Sequence, residues 1–158
     1  MLLLLFHIGN NLCAIDTSKV VEILPMVILR SIQPARHSVV GVFNYRGRII
    51  PAVDLCHLIS DKPSQICYRT RMILVQSATD AKPIGLIAER VSETLKISIE
   101  EAETAEFITE SPELGKLLLT EQGMVQLIHW EHLVSDALAA LPNESKEGEG
   151  CKTRLNSF

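Results

Sequence analysis

Between Leu2 and Ile128 the apolar residues fall into short runs, separated by Gly, Pro, Asn and Asp signals at intervals of about ten residues. Runs this short suit β-strands, and turn chemistry this frequent leaves little room between them for long helices. No sustained helical period appears before His129, which disfavours the alternating strand–helix order of a doubly wound α/β fold. The pattern predicts a mainly β chain whose strands close small barrels rather than one open sheet. No strong internal repeat is visible, and each half of the chain could close a separate barrel.

At 158 residues and 47% hydrophobic content, the chain can bury a core without metal or disulfide staples. Aromatic residues are only 4%, so Ile, Leu and Val must fill that core, and the β-branched members favour strands. The net charge of −4 and a pI near 5.7 give no basic face, so no nucleic-acid partner is expected. Cysteines at 13, 56, 67 and 151 show neither metal-ligand spacing nor a disulfide framework, and free thiols in a reducing cytoplasm are the expectation. The apolar opening Met1–Phe6 lacks the basic flank and cleavage site of a signal peptide and is too short to cross a bilayer. It reads as an N-terminal strand, with no direct membrane insertion.

Leu2–Ile8, a Gly9-Asn10-Asn11 turn and Leu12–Ile15 form a first hairpin. Asp16, Thr17 or Ser18 can cap a short helix through Val20, Val21, Ile23 and Leu24, ended by Pro25. Val27–Leu29 suggests a short strand, and Pro34 opens a helical turn from Ala35 to Val40 that Gly41 ends. Asp54 can cap another turn through Leu55, Leu58 and Ile59, before a Ser60–Ser64 loop. Met72–Gln76 and Pro83–Ala88 pair across a turn at Ala78–Lys82, and Val91–Ile97 makes a third strand. The acidic stretch Glu100–Ser111 reads as a solvated loop, and Leu114–Leu119 with Met124–Ile128 as a last hairpin. His129–Leu141 has the spacing of an amphipathic helix, and the polar segment 142–158 is expected to be disordered.

The stretch Gly41–Leu55 is the most informative. Two apolar arms flank a polar Arg46-Gly47-Arg48 tip, with Gly47 supplying the positive φ of a tight hairpin turn. Pro51 in the second arm marks an edge or a bulge, because it cannot donate to a ladder. Packing consumes the arms and leaves the tip to meet a partner. Asn44, Tyr45, Arg46 and Arg48 are gathered there, and Arg and Tyr are enriched where proteins dock.

Catalytic chemistry is hard to find. Cys56-His57 is the one adjacent thiol–imidazole pair, but sequence neighbours on a helical turn point about 100° apart, which argues against a dyad. A thiol-dependent enzyme using Cys56 and His57 is therefore the alternative, not the leading reading. His129 and His132 share a helix face without further ligands nearby, and no phosphate-cradling glycine loop occurs. No cofactor and no metal are expected.

Several segments in order resemble the CheW family of chemotaxis coupling proteins. They are Phe6-His7-Ile8-Gly9, Cys13-Ala14-Ile15-Asp16, Val20-Val21-Glu22-Ile23, Gly41-Val42-Phe43-Asn44-Tyr45-Arg46-Gly47, Pro51-Ala52-Val53-Asp54-Leu55 and Ile84–Val91. The resemblance spans about Leu3 to Leu141. It implies two small SH3-like five-stranded β-barrels with short helices and a C-terminal helix, forming a single domain over 1–141. It further implies a non-catalytic adaptor, cytoplasmic and associated with receptor arrays at the inner membrane. Such an adaptor joins the cytoplasmic tip of a methyl-accepting chemoreceptor to the regulatory domain of a CheA-type histidine kinase. Carried over residue by residue, the implied partner-binding positions are Val20, Glu22, Gly41, Asn44, Arg46 and Gly85. A guanidinium fork at Arg46 would hold a receptor carboxylate or carbonyl in a way Lys could not reproduce. The two glycines would let another backbone approach closely. Tyr45 stands where the family commonly has Leu, Glu89 where Asp is usual, and His129 where Asp or Asn is common. These departures imply a specialised member serving an alternative chemosensory pathway.

Overall fold

The computed structural model describes residues 1–32, 38–77, 82–98, 100 and 115–139, with side chains of the terminal helix described to residue 135. Two five-stranded sheets carry the fold. The strands are β1 (Leu2–Ile8), β2 (Asn11–Asp16), β3 (Val20–Pro25), β4 (Val39–Tyr45), β5 (Arg48–Asp54), β6 (Arg71–Val75), β7 (Ile84–Ala88), β8 (Thr94–Lys96), β9 (Leu117–Thr120) and β10 (Gly123–Leu127). The helices are α1 (Leu55–Ser60) and α2 (Trp130–Ala139). One sheet has the order β8-β1-β2-β10-β9 and the other β3-β6-β7-β5-β4.

The division does not follow the two halves of the chain. The second sheet is continuous in sequence from β3 to β7, whereas the first is assembled from both ends. Its two parts join where β10 runs parallel to β2, with Gln126 beside Cys13 and Leu127 beside Ala14. The expectation of one barrel per half is therefore corrected: the middle of the chain makes one unit and its flanks make the other.

Strict alternation along the strands serves two cores at once. On β1, Leu3 and Leu5 enter the core of the first sheet, while Leu4, Phe6 and Ile8 enter a shared cluster between the sheets. On β6, Met72 and Leu74 fill the second sheet's core, and Ile73 and Val75 turn to the shared cluster. With both faces buried, β7 is apolar at every position, which is why it reads as an unbroken run. Trp130 and Val134 of α2 and Leu55 and Cys56 of α1 complete the shared cluster. Lys19 forms an ion pair with Glu131, fastening α2 to the turn before β3.

Several local expectations are corrected. Asp16 does cap, its Oδ1 accepting from Ser18 N–H at 2.9 Å, but only a 3-10 turn at Thr17–Lys19 follows. Val20–Pro25 is strand β3, paired with β6 through a bulge between Val20 and Glu22. Val27–Leu29 belongs to no strand; the adjoining Arg30 makes one isolated bridge to Val42. Residues 33–37 lie outside the described part, and Val39 and Val40, expected in a helical turn, begin β4. The third strand of the second half is only Thr94–Lys96, and it pairs with β1. The turn at 78–81, the acidic stretch from 101, residues 140 and 141 of the expected helix, and segment 142–158 lie outside the described residues.

Pro51 gives a subtler correction, because β5 lies inside the sheet, between β7 and β4. Its partner Val42 turns both N–H and C=O towards Arg30, at 2.9 Å each. Pro51 thus occupies a pair that exchanges no hydrogen bonds with β4, and pairing with β7 begins only at Ala52. The missing N–H falls where no ladder bond is called for, so an interior strand tolerates it.

Candidate functional site

The second sheet's two edge strands, β3 and β4, are brought together by side chains at the hairpin tip. The Tyr45 hydroxyl donates to Glu22 Oε2, linking the end of β4 to β3. This contact ties β4 to β3, two strands that the sheet does not pair directly. Arg46 Nη2 stands 3.8 Å from the same Glu22 oxygen, and the guanidinium lies over the Tyr45 ring, 5.2 Å from its centroid. That separation is an ion pair but too long for a hydrogen bond, whereas the ring distance is within cation–π range.

The tip itself is a two-residue turn with positive φ at both central positions, 49° at Arg46 and 82° at Gly47. Such a type I′ turn matches the twist of the flanking strands. Glycine meets it without strain, whereas Arg46 carries about 1 kcal/mol of backbone cost for the left-handed conformation. Asn44 holds the turn, its Oδ1 accepting from Gly47 N–H at 2.9 Å. The Arg46 side chain is 77% exposed and, among the described residues, makes no hydrogen bond. Beside it Ile49 is 80% exposed, and on β3 Val21 and Ile23 face outward.

The six positions expected at the interface divide into two groups. Glu22, Asn44 and Arg46 meet at the hairpin tip, and Val20 lies half-buried at the head of the same edge strand. Gly41 and Gly85 are buried, and the close approaches they permit are made by the chain itself. A Cβ at Gly41 would stand 2.6 Å from the Arg30 carbonyl oxygen, and one at Gly85 would stand 2.5 Å from Met72 Sδ and 2.7 Å from the Phe43 ring. The sequence placed Tyr45 at the tip, but not its tie to Glu22, which lies 23 residues away on another strand.

Hydrogen bonding to the Glu22 carboxylate, with some desolvation, raises the Tyr45 phenol above its ordinary value of 10.0. A raised value means the folded protein favours the O–H form. The contact is therefore intact below about pH 10 and is lost as the pH rises through the phenol's own value. Ultraviolet titration should show one of the two tyrosines ionising late, and Glu22→Gln should bring it back towards its ordinary range.

The Cys56–His57 pair does not have the form of a catalytic dyad. Cys56 Sγ donates to Glu89 Oε1 at 3.4 Å and lies 4.0 Å from the His7 carbonyl, while His57 Nε2 lies 3.7 Å from Asp61. Burial first, with the nearby carboxylates, pushes the Cys56 thiol up to about 11, opposite to what a nucleophile needs. Burial likewise takes Cys13 to about 12. The exposed Cys67 is lowered by hydrogen bonding with Thr70. Timed alkylation at neutral pH with peptide mapping should label Cys67 well before Cys13 and Cys56; fast labelling of Cys56 would contradict the geometry. Desolvation and the neighbouring His132 hold His129 below the usual histidine value. Among the described residues no group of three or more His, Cys, Asp or Glu side chains could hold a metal ion.

The chain is similar to several known proteins. Over 85% of its length the chain is 27% identical to the "Probable chemotaxis protein CheW" of Rhizobium etli, covering 87% of that protein. It is 28% identical to the "Chemotaxis protein CheW" of Klebsiella aerogenes over 90% of this chain and 87% of the other. Protein FrzA of Myxococcus xanthus is 26% identical over 54% of this chain and 52% of its own. The fold matches the crystal structure of scaffolding protein TtCheW from Thermoanaerobacter tengcongensis with a TM-score of 0.73 at 23% identity, covering 84% of this chain and 86% of that one. The CheW-like domain model matches residues 2–138, and the chain belongs to the CheW-like domain family.

Proposed function

We propose that this chain is a coupling protein that joins the cytoplasmic tip of a methyl-accepting chemoreceptor to the regulatory domain of a CheA-type histidine kinase. Members of the family are non-catalytic scaffolds, and this chain works by binding alone. The observation that carries the reading is Arg46: a cation held at positive φ, largely exposed and making no hydrogen bond among the described residues, at a tip that glycine would occupy without strain. Strain retained at a surface position points to use of that position.

Glu22, Asn44 and Arg46 form the contact surface, with Val20 on the same strand and Val21 and Ile23 adding apolar area to bury. Gly41 and Gly85 act from inside, by holding the strand below the hairpin at the height the contact needs. The association with receptor arrays at the inner membrane would follow from the receptor. Among the described residues no helix is long and apolar enough to cross a membrane.

The test is complex formation, by size-exclusion chromatography with light scattering, against the kinase regulatory domain and a soluble receptor-tip fragment from the same organism. Arg46→Glu should keep its melting temperature while at least one complex weakens about tenfold or more, as expected when a buried charge contact is reversed. A folded variant that binds both partners like the wild type would remove Arg46 from the site. Failure of the wild type to bind either partner would overturn the reading as a whole.

A further inference from the structure

Between α1 and β6 the chain runs from Asp61 to Thr70 in no helix or strand, and what holds it down is polar. Ser64 gives both its N–H and its hydroxyl to Asp54, and Gln65 gives its N–H to Glu89 Oε1 at 3.0 Å. Further along, the Thr70 hydroxyl donates to the Gln65 carbonyl at 2.6 Å and accepts from Cys67 N–H at 3.1 Å. The Arg69 carbonyl accepts from Val91 N–H at 3.2 Å. The segment adds little to the core: Ile66 is 64% and Tyr68 82% exposed, and of residues 62–69 only Ser64 is half-buried. Its ends are fixed in another way. Asp61 is the left-handed cap of α1 at φ 59°, and Thr70 is buried.

Cys56 lies beneath. Its Sγ donates at 3.4 Å to the same Glu89 oxygen that holds Gln65, and the Ser64 side chain is a second hydrogen-bonding neighbour. We infer that residues 62–69 form a strap that opens locally, without unfolding of the sheets, and so gates the access of small thiol-reactive molecules to Cys56. Lifting the strap uncovers little apolar surface, so a handful of hydrogen bonds sets its cost, not the core. Cys13 provides the contrast. It is as deeply buried, but it sits on β2 between β1 and β10 and bonds, among the described residues, to no part of the strap.

The experiment is labelling with iodoacetamide, resolved by peptide mapping, in urea below the unfolding transition. The reagent forms an S–C bond as iodide leaves and the thiol proton passes to solvent. A Cys67→Ser protein with a wild-type melting curve is used, because a group added at Cys67 would disturb the strap itself. Cys56 should be labelled at a rate nearly independent of urea, whereas Cys13 should follow the slope of global unfolding. Ser64→Ala in the same background removes one bond of the strap and should speed Cys56 about fivefold while leaving Cys13 unchanged. In the unmodified wild type, hydrogen exchange read by NMR should give the Ser64 and Gln65 amides the same opening constant as the thiol. A Cys56 rate that follows the global slope would overturn the strap, since the thiol would then be reached only by unfolding. Equal acceleration of Cys13 by Ser64→Ala, or none of Cys56, would also overturn it, because a larger or a different opening would then be at work. Should Ser64→Ala not fold, the urea slope and the amide exchange still decide.

Discussion

Asp54→Ala is expected to destabilise the protein by about 3 kcal/mol, combining a lost helix cap of about 1 kcal/mol with buried donors left unpaired at about 1–3 kcal/mol. Asp54 is 4% exposed and works in two directions. Its Oδ1 accepts from the N–H groups of Cys56 at 3.0 Å and His57 at 3.4 Å, capping α1. Its carboxylate also accepts from Ser64, whose N–H lies 2.8 Å from Oδ2 and whose hydroxyl reaches Oδ1. The loop after α1 is thus clamped at Ser64, and the next residue, Gln65, donates its N–H to the buried Glu89 at 3.0 Å. For a chain of this size the loss corresponds to a fall in melting temperature of about 10 °C. Asp54→Asn keeps an acceptor for the cap and should recover part of it. A melting temperature for Asp54→Ala within measurement error of the wild type would show that the loop needs no clamp.

Gly41→Ala is expected to cost a similar amount, about 3 kcal/mol, from a strained backbone and an overpacked contact together. At φ 155° the backbone is one that side chains seldom adopt, and the added Cβ would collide with the Arg30 carbonyl, which is backbone and cannot swing away. The same carbonyl accepts from Val42 N–H at 2.9 Å, so relief of the clash would break a ladder-like pair. Urea unfolding measures the effect directly. The result also separates two roles for this glycine. A variant with full stability and weak partner binding would put Gly41 in the contact, whereas lost stability with binding retained at low temperature would make it a structural support.

The hairpin, the Asp54 cap, β1, β6 and β7 were legible because each is fixed by local chemistry: turn residues, a capping carboxylate or an uninterrupted apolar run. β3 was misread because Val20, Val21, Ile23 and Leu24 satisfy a helical stripe as well as a strand. What decides for the strand is β6, which lies some fifty residues away and pairs with it. Pro51 misled for a related reason. A proline is barred from a ladder only where its N–H would be used, and that depends on which way Val42 faces. Of the site, the tip residues Asn44, Arg46 and Gly47 were visible as a motif. The tie from Tyr45 to Glu22 was not, since it depends on the sheet curling until its two edges meet.

The threading of the first sheet has a consequence for how the protein is made. Of the described strands a ribosome delivers β1 and β2 before the rest, yet β10, which lies against β2, emerges after all the others. The middle sheet can close as soon as β7 is available, while the leucine-rich opening strand still has one flank uncovered. Non-local closure of this kind is slow relative to local pairing. β8 then covers that flank, so the edge of Asn11–Asp16, open until β10 arrives, is the one most in need of protection from other nascent chains.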